Sequence, residues 1–349
     1  MRRGLRLGAA LLAVSMLGAG CGGGSPEPKN ADEGGRAGAH EKSLKVGLAY
    51  DIGGRGDQSF NDAAAAGLDK AKKELHVEAN EAEAAGGEPE AAKEERLRQL
   101  ADAGYNPIVA VGFAYSGAVG KVAKEYGDIQ FGIVDAADVK AQNVSNLLFA
   151  EHEGSFLVGA AAGLKTKKNN VGFVGGVDIP LIKRFEAGFN AGVKHVNKDA
   201  KIQSKYLTQP PDFSGFADPA KGRTAADGMF DAGADVVYHA AGGSGGGVFE
   251  AAKAANGLAI GVDSDQYNTA DPAVKDVIVT SMLKKVDVAV FDFIKSVSDG
   301  NFKAGEVVYN LEKGGVDYST SGGKVDDVKA KLDELKQKII DGTITVPAQ

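Results

Sequence analysis

KVGLAYDIGGRGDQSFNDAAAAGLDKA, residues 45–71, is an apolar run that ends on one carboxylate and is followed by a glycine cluster and an alanine-rich segment. The run Lys45–Tyr50 predicts a buried β-strand, and the pattern over Phe60–Leu75 predicts the helix that follows it. Short β-branched runs continue to alternate with amphipathic segments of roughly ten to seventeen residues along the rest of the chain. This alternation predicts an α/β protein whose strands form parallel sheets.

The number of predicted strands indicates two lobes rather than one sheet. The candidates are Lys45–Tyr50, Pro107–Gly112, Gln130–Val134, Asn146–Phe149, Val171–Val174, Lys201–Leu207, Asp235–His239, Leu258–Val262, Val277–Ser281 and Val307–Leu311. One open sheet with short connections rarely holds so many, so two doubly wound lobes are the more economical arrangement. We expect residues 44–150 and about 263–283 in the first lobe, and residues from about 151 to 262 and 284–349 in the second.

Residues 1–20 predict a secretory signal peptide, because three arginines precede an apolar core, Leu7–Leu17, that is too short to span a membrane. The one cysteine, Cys21, follows small residues in a pattern similar to a bacterial lipobox, although Gly18 stands where leucine is usual. An exported cysteine without a disulfide partner favours lipidation, with ordinary cleavage or an uncleaved anchor as alternatives. Residues 21–43 predict a flexible tether. The expected location is the extracytoplasmic face of the cell membrane.

The charge of the chain argues against nucleic acid as a partner. The formal net charge is −7, and it falls to −10 when residues 1–20 are removed with their three arginines. An acidic body without a basic stripe attracts neither nucleic acid nor an anionic lipid surface. Neither is expected as the main partner.

Polar and aromatic side chains follow several predicted strands, where the ligands of open α/β sheets bind. The candidate ligand-binding residues are Asp51, Phe60, Asn61, Asp135, Tyr238, Gly242, Gly243, Asp263 and Lys284. Ionised carboxylates accept paired hydrogen bonds from vicinal hydroxyls, aromatic rings stack on planar groups, and an asparagine amide can both donate and accept at a base edge. This set fits an uncharged sugar joined to a base.

Structural roles remain open for the same residues. Asp51 could be a turn residue, Ser59 is expected to be only a helix cap, and Phe60 could pack in the core. The segment AAGGSGGG could be a permissive turn. Lys284 and Lys285 are solvated by default. The joint placement at strand ends, rather than any single residue, points to a site.

Other chemistries lack their motifs. A phosphate loop needs GxxxxGK[ST], which does not occur, and DIGGRGDQSFN carries two acidic groups, Asp51 and Asp57, that would repel a phosphate. Neither GGRGDQ nor GGSGGG has the GxGxxG spacing of a dinucleotide site, and the serine of GGSGG lacks the setting of a strained nucleophile elbow. The five histidines are not spaced as metal ligands. We expect no enzymatic activity, no metal and no cofactor.

Seven segments resemble, in order, the basic membrane protein family of bacterial lipoproteins, also called PnrA-like or purine nucleoside receptor-like proteins. They are DIGGRGDQSFNDAAAAGL, VGFAYSGAVGKVAKEYGDIQFGIVDA, NLLFAEHEGSFLVGAAAGL, VGFVGGVDIPLIKRFEAGFNAGVKHVN, FADPAKGR, AAGGSGGGVFEAAK and IGVDSDQ. The likeness runs from about Lys45 to the C-terminal IIDGTITVP, which is nearly the whole exported body.

The resemblance implies a type I periplasmic-binding-protein fold, in which two Rossmann-like lobes hold a ligand between them. Three hinge crossings are expected, near residues 150–170, Asp263 and Leu283. A purine nucleoside is the implied ligand, an ABC permease and ATPase are the implied partners, and we expect a monomer that closes by hinge motion without catalysis. The alternatives are a ligand-sensing or surface lipoprotein that uses the same lobes without transport, and a sugar-hydrolysing or nucleoside-cleaving enzyme.

The resemblance also implies individual roles. Contact with the ribose is implied for Asp51, Gly242, Gly243, Asp263 and Lys284, stacking on the base for Phe60, recognition of the base edge for Asn61 and Asp135, and an opposing aromatic for Tyr238.

Overall fold

The computed structural model describes residues 43–349. The predicted signal peptide, Cys21 and the predicted tether up to residue 42 lie outside the described residues. Both sheets and their packed helices belong to residues 43–349, so this body is expected to fold when it is produced by itself. Within it, none of the helices combines the length and the apolar character that a membrane span requires.

Residues 43–349 contain twelve strands: β1 (Lys45–Ala49), β2 (Glu78–Ala82), β3 (Ile108–Ala110), β4 (Phe131–Val134), β5 (Val144–Phe149), β6 (Asn170–Val177), β7 (Lys201–Thr208), β8 (Val236–Ala240), β9 (Leu258–Asp263), β10 (Ile278–Lys284), β11 (Gly305–Tyr309) and β12 (Val316–Tyr318). They form two six-stranded sheets, in the orders β11–β5–β4–β3–β1–β2 and β12–β10–β9–β8–β6–β7. All neighbouring strands run parallel except β10 and β12. The predicted α/β architecture with two parallel-sheet lobes is confirmed.

Helices cover both faces of each sheet, which is why the inner strands are apolar at successive positions. They are α1 (Phe60–Leu75), α2 (Glu90–Asp102), α3 (Ser116–Glu125), α4 (Glu151–Lys165), α5 (Pro180–Val196), α6 (Pro219–Asp231), α7 (Gly245–Ala254), α8 (Gln266–Thr269), α9 (Val286–Ser298) and α10 (Lys329–Ile340). In the first lobe α1 packs against α9 and α2 against α3. In the second lobe α4 packs against α5 and α6 against α7.

Within the described residues the chain passes between the lobes after β5, after β10 and after β11. Strand β10 pairs with β9, with Leu283 opposite Asp263, so the assignment of residues 263–283 to the first lobe is wrong. Strand β11 pairs with β5, and α9 packs on α1, so the assignment of residues 286–309 to the second lobe is also wrong. A strand's apolar pattern predicts that it is buried but does not say which neighbour it pairs with.

The close contact between α4 and α5 depends on glycine. A Cβ on Gly188 would overlap the carbonyl oxygen of His152, and one on Gly192 would overlap that of Phe156. We expect Gly192→Ala to lower the free energy of unfolding by about 1–3 kcal/mol, because the helix backbones must move apart. Gly228→Ala in α6, where the added methyl group meets open space, should instead be neutral or stabilise by up to about 1 kcal/mol. Urea unfolding compares the two, and equal stabilities would contradict this account.

Candidate ligand-binding site

A cavity lies between the two lobes, where the carboxyl ends of β1, β4, β9 and β10 meet. Its first-lobe wall consists of Asp51, Ile52, Asp57, Phe60, Asn61, Gly112, Phe113 and Asp135, and its second-lobe wall of Leu181, Ile182, Phe185, Phe216, Ala240, Gly242, Val262, Asp263 and Lys284. It holds about 560 Å³ of empty space including its mouth, but the centre of a water molecule can reach only about 60 Å³. The walls lie close together, so we expect a ligand to enter when the lobes separate.

The cavity brings together seven of the nine predicted ligand-binding residues: Asp51, Phe60, Asn61, Asp135, Gly242, Asp263 and Lys284. Tyr238 is instead fully buried in the second-lobe core, with its ring centroid 5.2 Å from that of Phe189 and its hydroxyl 3.2 Å from Ser155 Oγ. The prediction that Tyr238 is the opposing aromatic is wrong. It lies two residues before the end of β8, where side chains pack against helices rather than at the edge of the sheet.

Phe185 of α5 and Phe216 are the second-lobe rings that line the cavity, and neither is among the predicted ligand-binding residues. Their positions in the sequence could have identified them, because they lie in the segments that follow β6 and β7, where ligands of such sheets bind. Gly242 also lines the cavity, whereas its neighbour Gly243 does not, so the predicted ligand contact of Gly243 is not supported.

Asp57, rather than Ser59, caps the N-terminus of α1. The Asp57 carboxylate accepts hydrogen bonds from the backbone N–H groups of Ser59, Asn61 and Asp62, at 2.8–3.1 Å. Ser59 makes no side-chain cap, and its hydroxyl donates to Asp263 Oδ2 at 2.6 Å. The expectation that Ser59 is only a helix cap is therefore wrong, because its side chain joins the two lobes.

The amide of Asn61 is engaged by the protein itself. Its Oδ1 accepts a hydrogen bond from the Asp51 backbone N–H at 3.0 Å. Its Nδ2 donates to Asp57 Oδ2 at 3.1 Å and to the Ile52 carbonyl oxygen at 3.3 Å, which uses both N–H groups. Asn61 thus orders the loop that follows β1, and its contacts do not support the predicted recognition of a base edge.

Asp51 is fixed against a glycine. Its Oδ1 accepts a hydrogen bond from the backbone N–H of Ile52 at 2.8 Å, and a Cβ on Gly112 would overlap its Oδ2. Gly112 also has a φ of 100°, a conformation that other residues rarely adopt. Burial raises the pKa of Asp51 to about 7. Glycine at position 112 is therefore a requirement of the site that the sequence pattern does not reveal.

Lys284 is buried among carboxylates and rings. Its Nζ lies 2.5 Å from Asp135 Oδ2 and 3.5 Å from Glu151 Oε1. The ammonium also lies 5.0–5.5 Å from the ring centroids of Phe60, Phe149 and Phe185. Burial by itself lowers the pKa of Lys284, but the carboxylates of Asp135, Glu151 and Asp263 raise it above its ordinary value. The lysine is therefore charged and held in place, rather than solvated, and Glu151 joins the candidate site.

Two carboxylates of the cavity lie at strand ends in a strained backbone conformation. Asp135 and Asp263 have φ values of 66° and 63°, in the left-handed region, which costs of the order of 1–3 kcal/mol and is found most often at functional sites. Asp135 Oδ1 is buried, and within the described residues it has no hydrogen-bond partner. Burial raises the pKa of Asp263 to about 6. Residues 43–349 contain no cluster of histidine, cysteine and acidic side chains arranged to hold a metal ion.

The family model Bmp, described as ABC transporter substrate-binding protein PnrA-like, matches residues 44–349. The chain belongs to this family. The resemblance to the basic membrane protein family is thereby confirmed, and a PnrA-like protein is a substrate-binding component of an ABC transporter.

Relatives of this PnrA-like chain match it over most of their length. The CD4+ T-cell-stimulating antigen of Listeria innocua is 38% identical over 98% of this chain and 97% of its own. The ABC transporter nucleoside-binding protein BmpA of Lactococcus lactis subsp. cremoris is 34% identical over 97% of each chain. The crystal structure of an ABC transporter solute-binding protein from Aeropyrum pernix K1 has a TM-score of 0.76 and 32% identity, covering 88% of this chain and 94% of its own. The predicted type I periplasmic-binding-protein fold is confirmed.

Proposed function

We propose that this protein is the extracytoplasmic receptor of an ABC importer and binds a nucleoside, with a purine nucleoside as the expected ligand. The observation that carries the proposal is the meeting of aromatic rings and carboxylates from both lobes in one cavity. The Lactococcus lactis relative, whose name states nucleoside binding, supports the same class of ligand. The receptor would act as a monomer and deliver its ligand to a permease driven by an ATPase.

The base would lie among the aromatic residues. Phe60 of the first lobe and Phe185 and Phe216 of the second line the cavity, so a planar base would have aromatic residues on both sides of the cleft to stack on. Asp135 Oδ1, which is buried without a partner in the described residues, would accept a hydrogen bond from an N–H group of the base. Stacking would thus supply affinity, and the carboxylate would supply orientation.

The sugar would lie among the remaining polar groups. Asp51 and Asp263 would accept hydrogen bonds from the ribose hydroxyls, since carboxylate oxygens are strong acceptors. Gly242, with a φ of 52°, lets the backbone approach the sugar closely. Lys284 has three N–H donors, and its contacts with two carboxylates leave one for a ligand oxygen.

Export and membrane attachment belong to the same proposal. Residues 1–20 would direct export, a lipid on Cys21 would anchor the chain, and the tether up to residue 43 would keep the body near the permease. The body would then meet its ligand outside the cytoplasm.

Isothermal titration calorimetry of residues 43–349 against adenosine, guanosine, inosine, cytidine and uridine tests the ligand. We expect one site per chain, and at least one purine nucleoside should bind roughly tenfold or more tightly than either pyrimidine nucleoside, because a larger ring stacks more strongly. Free ribose and the free bases are matched controls, because each satisfies only part of the cavity, and they should bind at least about tenfold more weakly.

Two outcomes would refute parts of this proposal. Binding of ribose or a peptide, without a response to any nucleoside, would refute the ligand and leave the family membership untouched. Release of free base from a bound nucleoside would refute the assignment as a non-enzymatic receptor.

A further inference from the structure

Glu151 lies where the chain first passes between the lobes, and it is absent from the predicted ligand-binding residues. It is the first residue of α4, one residue beyond the end of β5, while Lys284 ends β10 at the next passage between the lobes. Helix α4 and strand β10 pack together in the second lobe. Glu151 and Lys284 therefore stay together when the lobes move, whereas Asp135, which follows β4, moves with the first lobe.

The Lys284 ammonium contacts one carboxylate from each lobe. Asp135 Oδ2 lies at 2.5 Å and Glu151 Oε1 at 3.5 Å, and the three side chains are only 2%, 4% and 1% exposed for Lys284, Asp135 and Glu151. An ammonium that lost both carboxylates would lie among phenylalanine rings without an ion pair, because Asp263, the other carboxylate near it, forms none with it, and this is strongly unfavourable. Separation of the lobes removes Asp135, so the second-lobe carboxylate decides where the ammonium lies in the open protein.

We propose that Glu151 is a positioning residue that holds the Lys284 ammonium in the second lobe when the lobes are open and Asp135 is out of reach. The ammonium is then in place to form the ion pair with Asp135 across the cleft when the lobes close. The proposal rests on the proposed function in one respect, namely that the lobes separate to admit a ligand. The closed protein gives the ammonium both carboxylates, whereas the open protein would keep only Glu151 beside it. The charge of Glu151 therefore matters more to the open state than to the closed state, and it delays closure until a ligand is bound.

The other charged groups around Glu151 do not replace its role. Arg184 of α5 is 4.0 Å from Glu151 Oε2, but its side chain is 45% exposed. Asp135 and Asp263 are the further carboxylates that face the ammonium. Asp135 moves away with the first lobe, and Asp263 forms no ion pair with Lys284 and accepts a hydrogen bond from Ser59 instead. Burial lowers the pKa of His152, which keeps that neighbour neutral at neutral pH. Burial also raises the pKa of Glu151 to about 7.

Glu151→Gln removes the charge and keeps the shape of the side chain. Small-angle X-ray scattering of the unliganded body, residues 43–349, should give a smaller radius of gyration than the wild type, because the open state loses the partner of Lys284. Asp135→Asn should give a larger radius, because the closed state loses its ion pair across the cleft. A wild-type radius in Glu151→Gln would overturn the proposal.

A pH series separates the charge of Glu151 from a merely structural role. With a pKa of about 7, Glu151 is ionised at pH ~8 and mostly protonated at pH ~5.5. The difference in radius between the wild type and Glu151→Gln should therefore be largest at pH ~8 and shrink towards zero at pH ~5.5. Glu151→Asp keeps the charge, should restore most of the wild-type radius, and provides the readout if Glu151→Gln does not fold. A pH-independent difference would count against the proposal.

The scattering experiment is independent of the ligand. With guanosine as the probe, we expect Glu151→Gln to lower the association rate constant by roughly fivefold or more, because the ligand enters through the open state. If no nucleoside binds to the wild type, the proposed ligand is refuted, but the radii of the unliganded proteins still decide the role of Glu151. Unequal radii with equal association rates would contradict the role assigned to the open state.

Discussion

Asp135→Asn is expected to weaken nucleoside binding about 100-fold, equivalent to about 2.7 kcal/mol. The carboxylate has two tasks in the cavity, since Oδ2 accepts from Lys284 at 2.5 Å and Oδ1 is buried without a partner in the described residues. An amide can keep only one acceptor, so either the lysine or the ligand would face an N–H group instead of an oxygen. Removing one partner of a buried, hydrogen-bonded charge is among the costlier single changes in a binding site.

Calorimetry with the nucleoside that binds the wild type most tightly measures this loss. Asparagine is the right substitution because it tolerates the φ of 66° at this position, so the backbone after β4 should be preserved. The same change three residues further on, Asp138→Asn, is the matched control, because Asp138 is exposed and does not line the cavity. A loss of less than about threefold in Asp135→Asn would remove this carboxylate from the proposed recognition of the base.

The inner strands and the strand-end residues could be predicted because burial leaves a pattern in the sequence. Strand β1 is buried from Val46 to Ala49, and the chain has no polar side chain at any of these positions. Asp51, Asp135 and Asp263 stand where three parallel strands end, which places them at the same edge of their sheets. Strands β2 and β12 were not predicted. Strand β2 is a charged, partly exposed edge strand without an apolar run, and β12 has only three residues.

What could not be predicted depends on partners that are distant in the sequence. The hydroxyl of Ser59 meets Asp263, more than two hundred residues away, and a local pattern cannot distinguish that contact from a helix cap. Tyr238 has an aromatic ring of the kind that stacks on a base, but it lies two positions before the end of β8 and is buried there. Phe60 has both of the roles considered for it, because it packs on the core and also lines the cavity.

Acidification is expected to weaken nucleoside binding about as much as Asp135→Asn does, by about 30- to 100-fold between pH ~8 and pH ~5.5. Burial raises the pKa of Asp51 to about 7 and that of Asp263 to about 6, so both carboxyls gain protons over this range. A protonated carboxyl loses the charge-assisted hydrogen bonds that we propose it accepts from the ribose. Affinity should therefore rise as the pH rises through about 6 to 7, and level off above the higher pKa.

The stability of the unliganded protein should change in the opposite direction. The folded-state pKa values of Asp51 and Asp263 lie above the ordinary value for aspartate, about 3.9, so the folded state binds more protons than the unfolded chain between these limits. Their contribution to the free energy of unfolding is fully present below pH ~4 and is lost as the pH rises through about 6 to 7. Acid should thus stabilise the folded protein without ligand while it lowers the affinity for the ligand. Unfolding by acid would instead lower both the stability and the affinity.

Calorimetry and urea unfolding at several pH values between about 5.5 and 8 measure the two trends on the same protein. Asp51→Asn should flatten the steeper part of both curves, because it removes the group with the higher pKa, whereas Asp138→Asn should leave both curves unchanged. Affinity and stability that fall together on acidification would show that partial unfolding, rather than protonation of Asp51 and Asp263, causes the loss. Affinity that is constant over this range would mean that the ribose hydroxyls do not depend on either carboxylate, and the sugar would then have to lie elsewhere in the cavity.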